Sequence, residues 1–523
     1  MTQTISPAEA KALLASGREH ALLDVREEGQ FGEGHAFFAT PCPYSVLELT
    51  VGELVPNRAV PVLLMDNGDG VAERAAAALQ RLGYTDVRVV AGGAPGWAAA
   101  GYTLFKGVNV PSKALGELVE QANHPATITA ETLEAWGREK RPFRLFDARP
   151  PAEYRKMCVP GAACIPNGEL AHRIRAAVPD ETTPVVVTCA GRTRGIIGSE
   201  GLRLAGVQNP VYALENGTQG WALAGFTLER GNQPAPYPAL DAPTFADSER
   251  RAREMAAARN VPLVDEAELA RLAADGGRTL YLLDVRSEAE ATDDPVPGGI
   301  WAPGGQLVQA TDRWVGVRHA TLVLVDDTGL RATLAAVWLR QMGFDARALP
   351  LGAAPACGRA WPTLPGRPDV RLPSPPESRP AAAVAEAGWP IIDLRSSRVA
   401  RQGRPAGAIW SIRPWLSALP LPAGTIALLA DDAEVTALAA ADLAAAGHGP
   451  IVLIEGGFAA WRDAGLPLAD DTAPADEDSI DFLFFVHDRH DGNLDSSRRY
   501  LAWEQALIEQ LDADERAAFR VRP

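Results

Sequence analysis

The chain of 523 residues is 47% hydrophobic and 22% charged, with a formal net charge of −16. This composition belongs to a folded globular chain rather than a disordered one, and its acidity argues against a nucleic-acid surface and requires any anion site to be built locally. No apolar run approaches the roughly 18 residues a membrane helix needs, and the length suits roughly three to five domains rather than one core.

Read in order, the chain opens with Ser6 as an N-cap and Pro7 at the first helical position, so residues 7–15 are predicted helical and the start does not read as a leader peptide. A short buried strand follows and closes in Asp24-Val25-Arg26. A crossing with Gly34-His35-Ala36 leads to a second apolar strand, Val62-Leu63-Leu64-Met65, which runs straight into a loop and helix. A third strand ends in Gly92-Gly93-x-x-Gly96-Trp97.

The same order returns three times. Helices are predicted over 130–139 and 266–274, and buried strands close in Asp147-Ala148-Arg149, Asp284-Val285-Arg286 and Asp393-Leu394-Arg395. The crossings hold Val159-Pro160-Gly161-Ala162, Val296-Pro297-Gly298-Gly299 and Gly407-Ala408-Ile409. Gly217-x-x-Gly220-Trp221 and Gly456-Gly457-x-x-Ala460-Trp461 close the second and fourth copies; in the third, Gly352 keeps the glycine and Ala356 stands where tryptophan is expected. Strands alternating with helices predict α/β units, each a parallel sheet covered on both faces, with sites where a helix opens at the carboxyl end of a strand. Four domains are expected, over 1–107, 122–231, 247–363 and 378–470. Pro-rich linkers occupy 232–244 and 362–380, and a shorter one 108–115. A tail over 476–523 is expected to carry a helix over 497–511.

One position sets the second copy apart. Forty-two positions lead from Asp24 to Asp66, from Asp147 to Cys189 and from Asp284 to Asp326, and 37 lead from Asp393 to Ala430. A nucleophile therefore stands where the other copies carry Asp, Asp and Ala. The loop Cys189-Ala190-Gly191-Arg192-Thr193-Arg194-Gly195 precedes a helix predicted over 196–204. Successive backbone N–H groups can curl around one point there, the helix directs its positive end at it, and Gly191 and Gly195 permit conformations a β-carbon would block. With Arg192 and Arg194 adding positive charge, the Cys189 thiol is expected to ionise below its usual value and to be an attacking thiolate at neutral pH. A buried structural cysteine is the plain alternative; two arginines and two glycines at a strand-to-helix junction favour the nucleophile.

These motifs resemble the rhodanese-like sulfurtransferases over residues 1 to about 470, most specifically in the six-residue loop from Cys189 to Arg194. The resemblance implies four tandem rhodanese-like domains of which one is catalytic. Cys189 would take sulfane sulfur from thiosulfate or a similar donor, become a persulfide and pass the sulfur to cyanide or a thiol, without metal or organic cofactor. The amides of Ala190, Gly191, Thr193 and Gly195, with Arg194, would hold the persulfide, and Arg192 would guide an anionic donor. Phosphatases of the same fold carry one more residue between Cys and Arg and usually His before Cys; here four residues separate Cys189 from Arg194 and Thr188 precedes. A persulfide relay to a protein thiol, or a sulfur-sensing scaffold, is the alternative.

Other candidates weigh less. The loops at Asp66 and Ala430 offer no thiolate. The third copy keeps Arg331, and Asp326 and Asp327 before it are read as solvated or capping. Asp147 and Arg149 recur in copies without cysteine, so a structural ion pair is expected. Cys164 reads as core and Cys158 as exposed, either being a conceivable resolving thiol. Cys42 and Cys357 belong to copies without the loop. Five cysteines without framework spacing indicate reduced thiols in the cytoplasm. His487 and His490 read as surface or interface groups rather than metal ligands.

Overall fold

Each apolar run ending in Asp-x-Arg forms the middle of a short parallel ladder, because strands buried on both faces need helices above and below. The structure, a computed structural model, describes residues 3–364, 370–487 and 493–521. They carry four sheets. The second is wholly parallel, in the order Thr127–Ile128, Val211–Leu214, Val185–Thr188, Arg144–Asp147, Ala163–Cys164. The fourth repeats this with Glu377–Arg379, Ile451–Ile454, Ile426–Leu429, Ile391–Asp393 and Ile409–Trp410. The third has four parallel strands, in the order Ile300–Trp301, Leu280–Asp284, Thr321–Asp326, Asp345–Pro350. No helix among the described residues is long and apolar enough to cross a membrane.

The sheets are not beads on a string. In the first, Gln3–Ile5, Val87–Val90, Val62–Met65 and His20–Asp24 run parallel, and Thr40–Pro41 covers the Leu23–Asp24 end of the last strand. Its His20–Ala21 end pairs antiparallel with Val317–Arg318, a strand from the third repeat. One buried apolar cluster runs through the first three sheets, from Leu23 and Val62 through Phe146 and Val187 to Leu283 and Leu324. The fourth sheet has cores of its own. It is held to the first by Arg413, whose guanidinium meets both oxygens of Glu48 at 2.5 and 2.8 Å and also Asp442.

Several expectations are corrected here. Residues 108–115 are not a linker: they enter the 14-residue helix Val110–Asn123, which packs on the helix Thr193–Leu204 and is buried along Val110, Ala114, Leu115 and Val119. Gly116 lets this helix approach the helix Thr193–Leu204 so closely that a Cβ there would meet the Thr193 methyl carbon at 2.9 Å. Residues 242–244 of the second linker already belong to the helix Ala242–Arg259, capped by Asp241. In the third repeat Trp361 replaces the missing closing tryptophan, donating Nε1–H to the Ala356 carbonyl at 2.7 Å. The tail helix spans Leu494–Gln505 and is followed by a 3-10 turn over Leu507–Glu509. Leu507 and Ile508 are buried against Phe37, Phe105 and Ala114, so the tail packs into the molecule.

Removing Arg413 leaves Glu48 buried without a partner, and breaking such a pair costs about 3–5 kcal/mol. Arg413→Ala is therefore expected to expose the fourth-sheet strands to hydrogen exchange at lower denaturant concentration. Arg498→Ala, which removes an exposed pair with Asp495, is expected to leave that exchange unchanged.

Candidate active site

Cys189 follows the strand Val185–Thr188, and the next helix opens at Thr193, about one turn earlier than expected. Arg192 is thus the N-cap residue, and its side chain makes no cap bond. The Cys189 sulfur is faced by the amides of Gly191 and Gly195, two and six positions on, and its thiol is 3.8 Å from the Arg192 carbonyl. Neither Gly191 nor Gly195 has a left-handed backbone, contrary to expectation. Room is tight at Gly191, where a Cβ would come within 3.0 Å of Glu504 Oε2, whereas at Gly195 it would sit in ordinary contact, 3.7 Å from Cys189 Sγ.

The glycine that does need its freedom is Gly217, with φ +55°, at the start of the helix Gly217–Leu223. A Cβ there would fall 2.2 Å from the Cys189 carbonyl oxygen. That carbonyl accepts from the Thr218 amide at 2.8 Å, and the Ala190 carbonyl accepts from the Gln219 amide and Nε2 at 3.2 and 3.0 Å. The glycine-rich close of the repeat is therefore the floor of the cysteine loop. The first copy builds the same floor, where a Cβ on Gly93 would fall 2.2 Å from the Asp66 carbonyl.

The copies without cysteine show what the loop holds. Asp66 places one carboxylate oxygen 2.8 Å from the Gly68 amide and the other 3.0 Å from the Ala72 amide, again two and six positions on. Asp326 accepts from the Thr328 hydroxyl and from the amides of Arg331 and Ala332 at 3.3–3.4 Å. Asp326 is fully buried rather than solvated, and Arg331 is drawn to Asp326, Asp327, Glu169 and Glu290. Side chains of His172, Glu290 and Asp327 come within 4.8 Å of one another, but Arg331 and Arg173 already engage the two carboxylates, so ion pairing accounts for this group.

The arginines of the cysteine loop are likewise engaged. Arg194 is bidentate to Glu153 at 2.6 and 2.8 Å. Arg192 is bidentate to Glu117 at 2.8 and 3.0 Å and also bonds Glu120. It is thus neutralised by the helix Val110–Asn123, which stands where a linker is expected, and this is a poor fit to the role of guiding a donor. Burial and the neighbouring carboxylates push Glu117 up to about 7, against the pull of Arg192. Thr193 donates its hydroxyl to Glu504 of the tail helix at 2.6 Å. Glu504 is 2% exposed and its second oxygen has no hydrogen-bond partner among the described residues, an arrangement that costs about 1–3 kcal/mol. No motif pointed to Glu117, Glu120, Glu153 or Glu504.

These charges act on the state of the Cys189 thiol. Burial pushes the Cys189 thiol up. Arg194 and the Gly195 and Gly191 amides pull it down, Glu504 pushes with burial, and burial wins. The expected thiolate at neutral pH is corrected to a thiol that ionises above its ordinary 9.0. The cavity over it is about 500 Å³ and is lined also by Lys113, Lys156, Gln309, Arg313 and Tyr500. Cys164 and Cys158 do not line it; Cys158 is buried rather than exposed, and both belong to the core packed under Trp221. The Asp147–Arg149 pair is structural, at 2.7 Å and fully buried. His487 lines the cavity with its ring stacked on Phe482, and His490 lies outside the described residues.

The crystal structure of a thiosulfate sulfurtransferase from Pseudomonas aeruginosa matches 99% of this chain and 99% of its own, at 38% identity and a TM-score of 0.89. The chain belongs to the rhodanese family. Rhodanese-type sulfur transfer is the chemistry this full-length likeness supports. The family's Rhodanese-like domain model matches residues 6–100 and 129–224, so the first copy is recognisable despite its aspartate. The uncharacterized protein YibN of Escherichia coli K12 is 28% identical over 106 residues, which are 20% of this chain and 73% of that protein.

Two measurements check this geometry. In a Cys357→Ser background, which removes the exposed thiol, alkylation of Cys189 by iodoacetamide is expected to keep rising past pH 9, because the reactive thiolate of a raised pKa accumulates only there. Gly217→Ala is expected to destroy the loop and the sulfur chemistry that depends on it. Gly206→Ala, at φ +75° but with open space around it, should leave them intact.

Proposed function

We propose that this rhodanese-family chain moves sulfane sulfur from thiosulfate or a similar donor to cyanide or a thiol, with Cys189 as the carrier. The observation that carries the reading is the shared cradle. In the first copy two backbone amides, two and six positions on, hold the Asp66 carboxylate; in the second the same two positions face the Cys189 sulfur. A site shaped for an anion by its backbone stabilises a persulfide anion as soon as one forms.

In the first half-reaction the Cys189 thiolate attacks the outer sulfur of the donor, the donor's S–S bond breaks, and sulfite leaves. The rare thiolate needed for this step is formed against burial and is favoured by Arg194. In the second half-reaction the acceptor takes the outer sulfur and Cys189 is regenerated. No metal or organic cofactor enters either step. Each sheet with its helices is read as one of four domains, of which only the second is catalytic, in a cytoplasmic protein. The Ala190 backbone and the Gly191 and Gly195 amides shape the site, Arg194 supplies charge, and Arg192 and Thr193 tie the loop to its walls. Because the cavity is walled by the 110–123 helix, the third repeat and the tail, a small acceptor fits it better than a protein thiol.

Thiosulfate-treated protein, desalted and weighed intact, is expected to carry one added sulfur. Cys189→Ser should carry none and should form no thiocyanate with cyanide. Sulfur loading that survives in Cys189→Ser would refute the assignment.

A further inference from the structure

Glu504 stands out among the charged groups at the site. It comes from the helix Leu494–Gln505 of the tail, far from the cysteine loop in sequence, and is 2% exposed. Its Oε1 is fixed by the Thr193 hydroxyl at 2.6 Å. Its Oε2 has no hydrogen-bond partner among the described residues, and a Cβ on Gly191 would lie 3.0 Å from it. Gly191 supplies one of the two amides that face the Cys189 sulfur, and both Glu504 and Cys189 line the same cavity. The nearby guanidinium groups are committed elsewhere, Arg192 to Glu117 and Glu120 and Arg194 to Glu153. A carboxylate held by one oxygen, with the other buried and unpartnered beside a nucleophile, has the geometry of a general base.

We propose that Glu504 is the proton acceptor of the second half-reaction when the acceptor is a small protonated thiol. The inference rests on Cys189 being the sulfur carrier. As the incoming thiol gives its proton to Glu504, its sulfur bonds to the outer sulfur of the Cys189 persulfide. The persulfide S–S bond breaks with its electron pair left on Cys189 Sγ. Glu504 then passes the proton to Sγ, so the acceptor departs as a persulfide anion and Cys189 returns as the thiol. The transferred sulfur keeps its oxidation state and no outside oxidant is needed. Burial, which favours neutral Cys189 over its thiolate, favours the final proton transfer.

The test uses the full chain and Glu504→Gln, which keeps the side chain's size and an oxygen for Thr193. Wild type and variant are loaded with thiosulfate, desalted and mixed at neutral pH with either β-mercaptoethanol, which is mostly protonated, or thionitrobenzoate, which is already ionised. Loss of the added sulfur is followed by intact mass. Loading is expected to persist in the variant, and discharge to β-mercaptoethanol to slow about a hundredfold, while discharge to thionitrobenzoate stays within about twofold, as removal of a general base requires. Equal slowing with both thiols, or slowing with neither, overturns the proposal. Loss of loading in the variant alone also overturns it, by placing Glu504 in the first half-reaction. Failure of wild type to load refutes instead the reading of Cys189.

Discussion

The structure depends on one clamp made four times. The aspartate closing each central strand takes Nε of the arginine two positions on at 2.9 Å and Nη2 at 2.6–2.7 Å. In every copy the same Nη2 also donates to the carbonyl eight residues beyond the arginine, at Gly34, Met157, Asp294 and Gly403. A buried ion pair repays its desolvation only when geometry and remaining hydrogen bonds are satisfied, and this one is bidentate with a backbone acceptor besides. It ties the strand end to the crossing and so sets where the neighbouring strand delivers its loop. In the second copy it reaches further: Arg149 lies 4.0 Å from Glu153, which holds Arg194 of the cysteine loop.

The same frame explains how the copies can share a loop and differ in the side chain it presents. The strand and the helix opening recur in the copies, and the first two share the loop floor; the side chain placed in the cradle differs. A carboxylate there satisfies the amides permanently and makes the loop a folding element. A neutral thiol leaves the anion-binding capacity of those amides in reserve for a reaction intermediate. Substituting Asp for Cys thus trades a reactive site for a satisfied one with little change of backbone.

Much of this was legible in the residues because it is local. Triplets, glycine turns and the 42-residue offset recur in sequence; they delivered the parallel sheets and the strand ends, and they single out the Cys189 loop. What was not legible comes from segments distant in the chain. Lys113, Glu117 and Glu120 belong to a stretch outside the recurring motifs, and the proline at its start, Pro111 after Val110, marks the first turn of a helix as readily as a linker. Glu504 belongs to a tail with no motif. The thiol's ionisation escaped the sequence for the same reason: the two arginines are visible beside Cys189, whereas the burial and the Glu504 charge that outweigh them are set by tertiary packing.

The antiparallel strand lent by the third repeat to the first sheet has a consequence for biosynthesis. Until Val317 and Arg318 emerge, the His20–Ala21 end of the first sheet's edge strand lacks its partner, and an open strand edge is a template for pairing with other chains. At about 5–20 residues per second, the ribosome takes roughly 15–60 seconds to travel from that edge to its cover. The nascent chain must keep this edge guarded for the whole interval, and any fragment that stops before residue 317 inherits it permanently. The third repeat therefore has a structural role that does not depend on a cysteine in its loop.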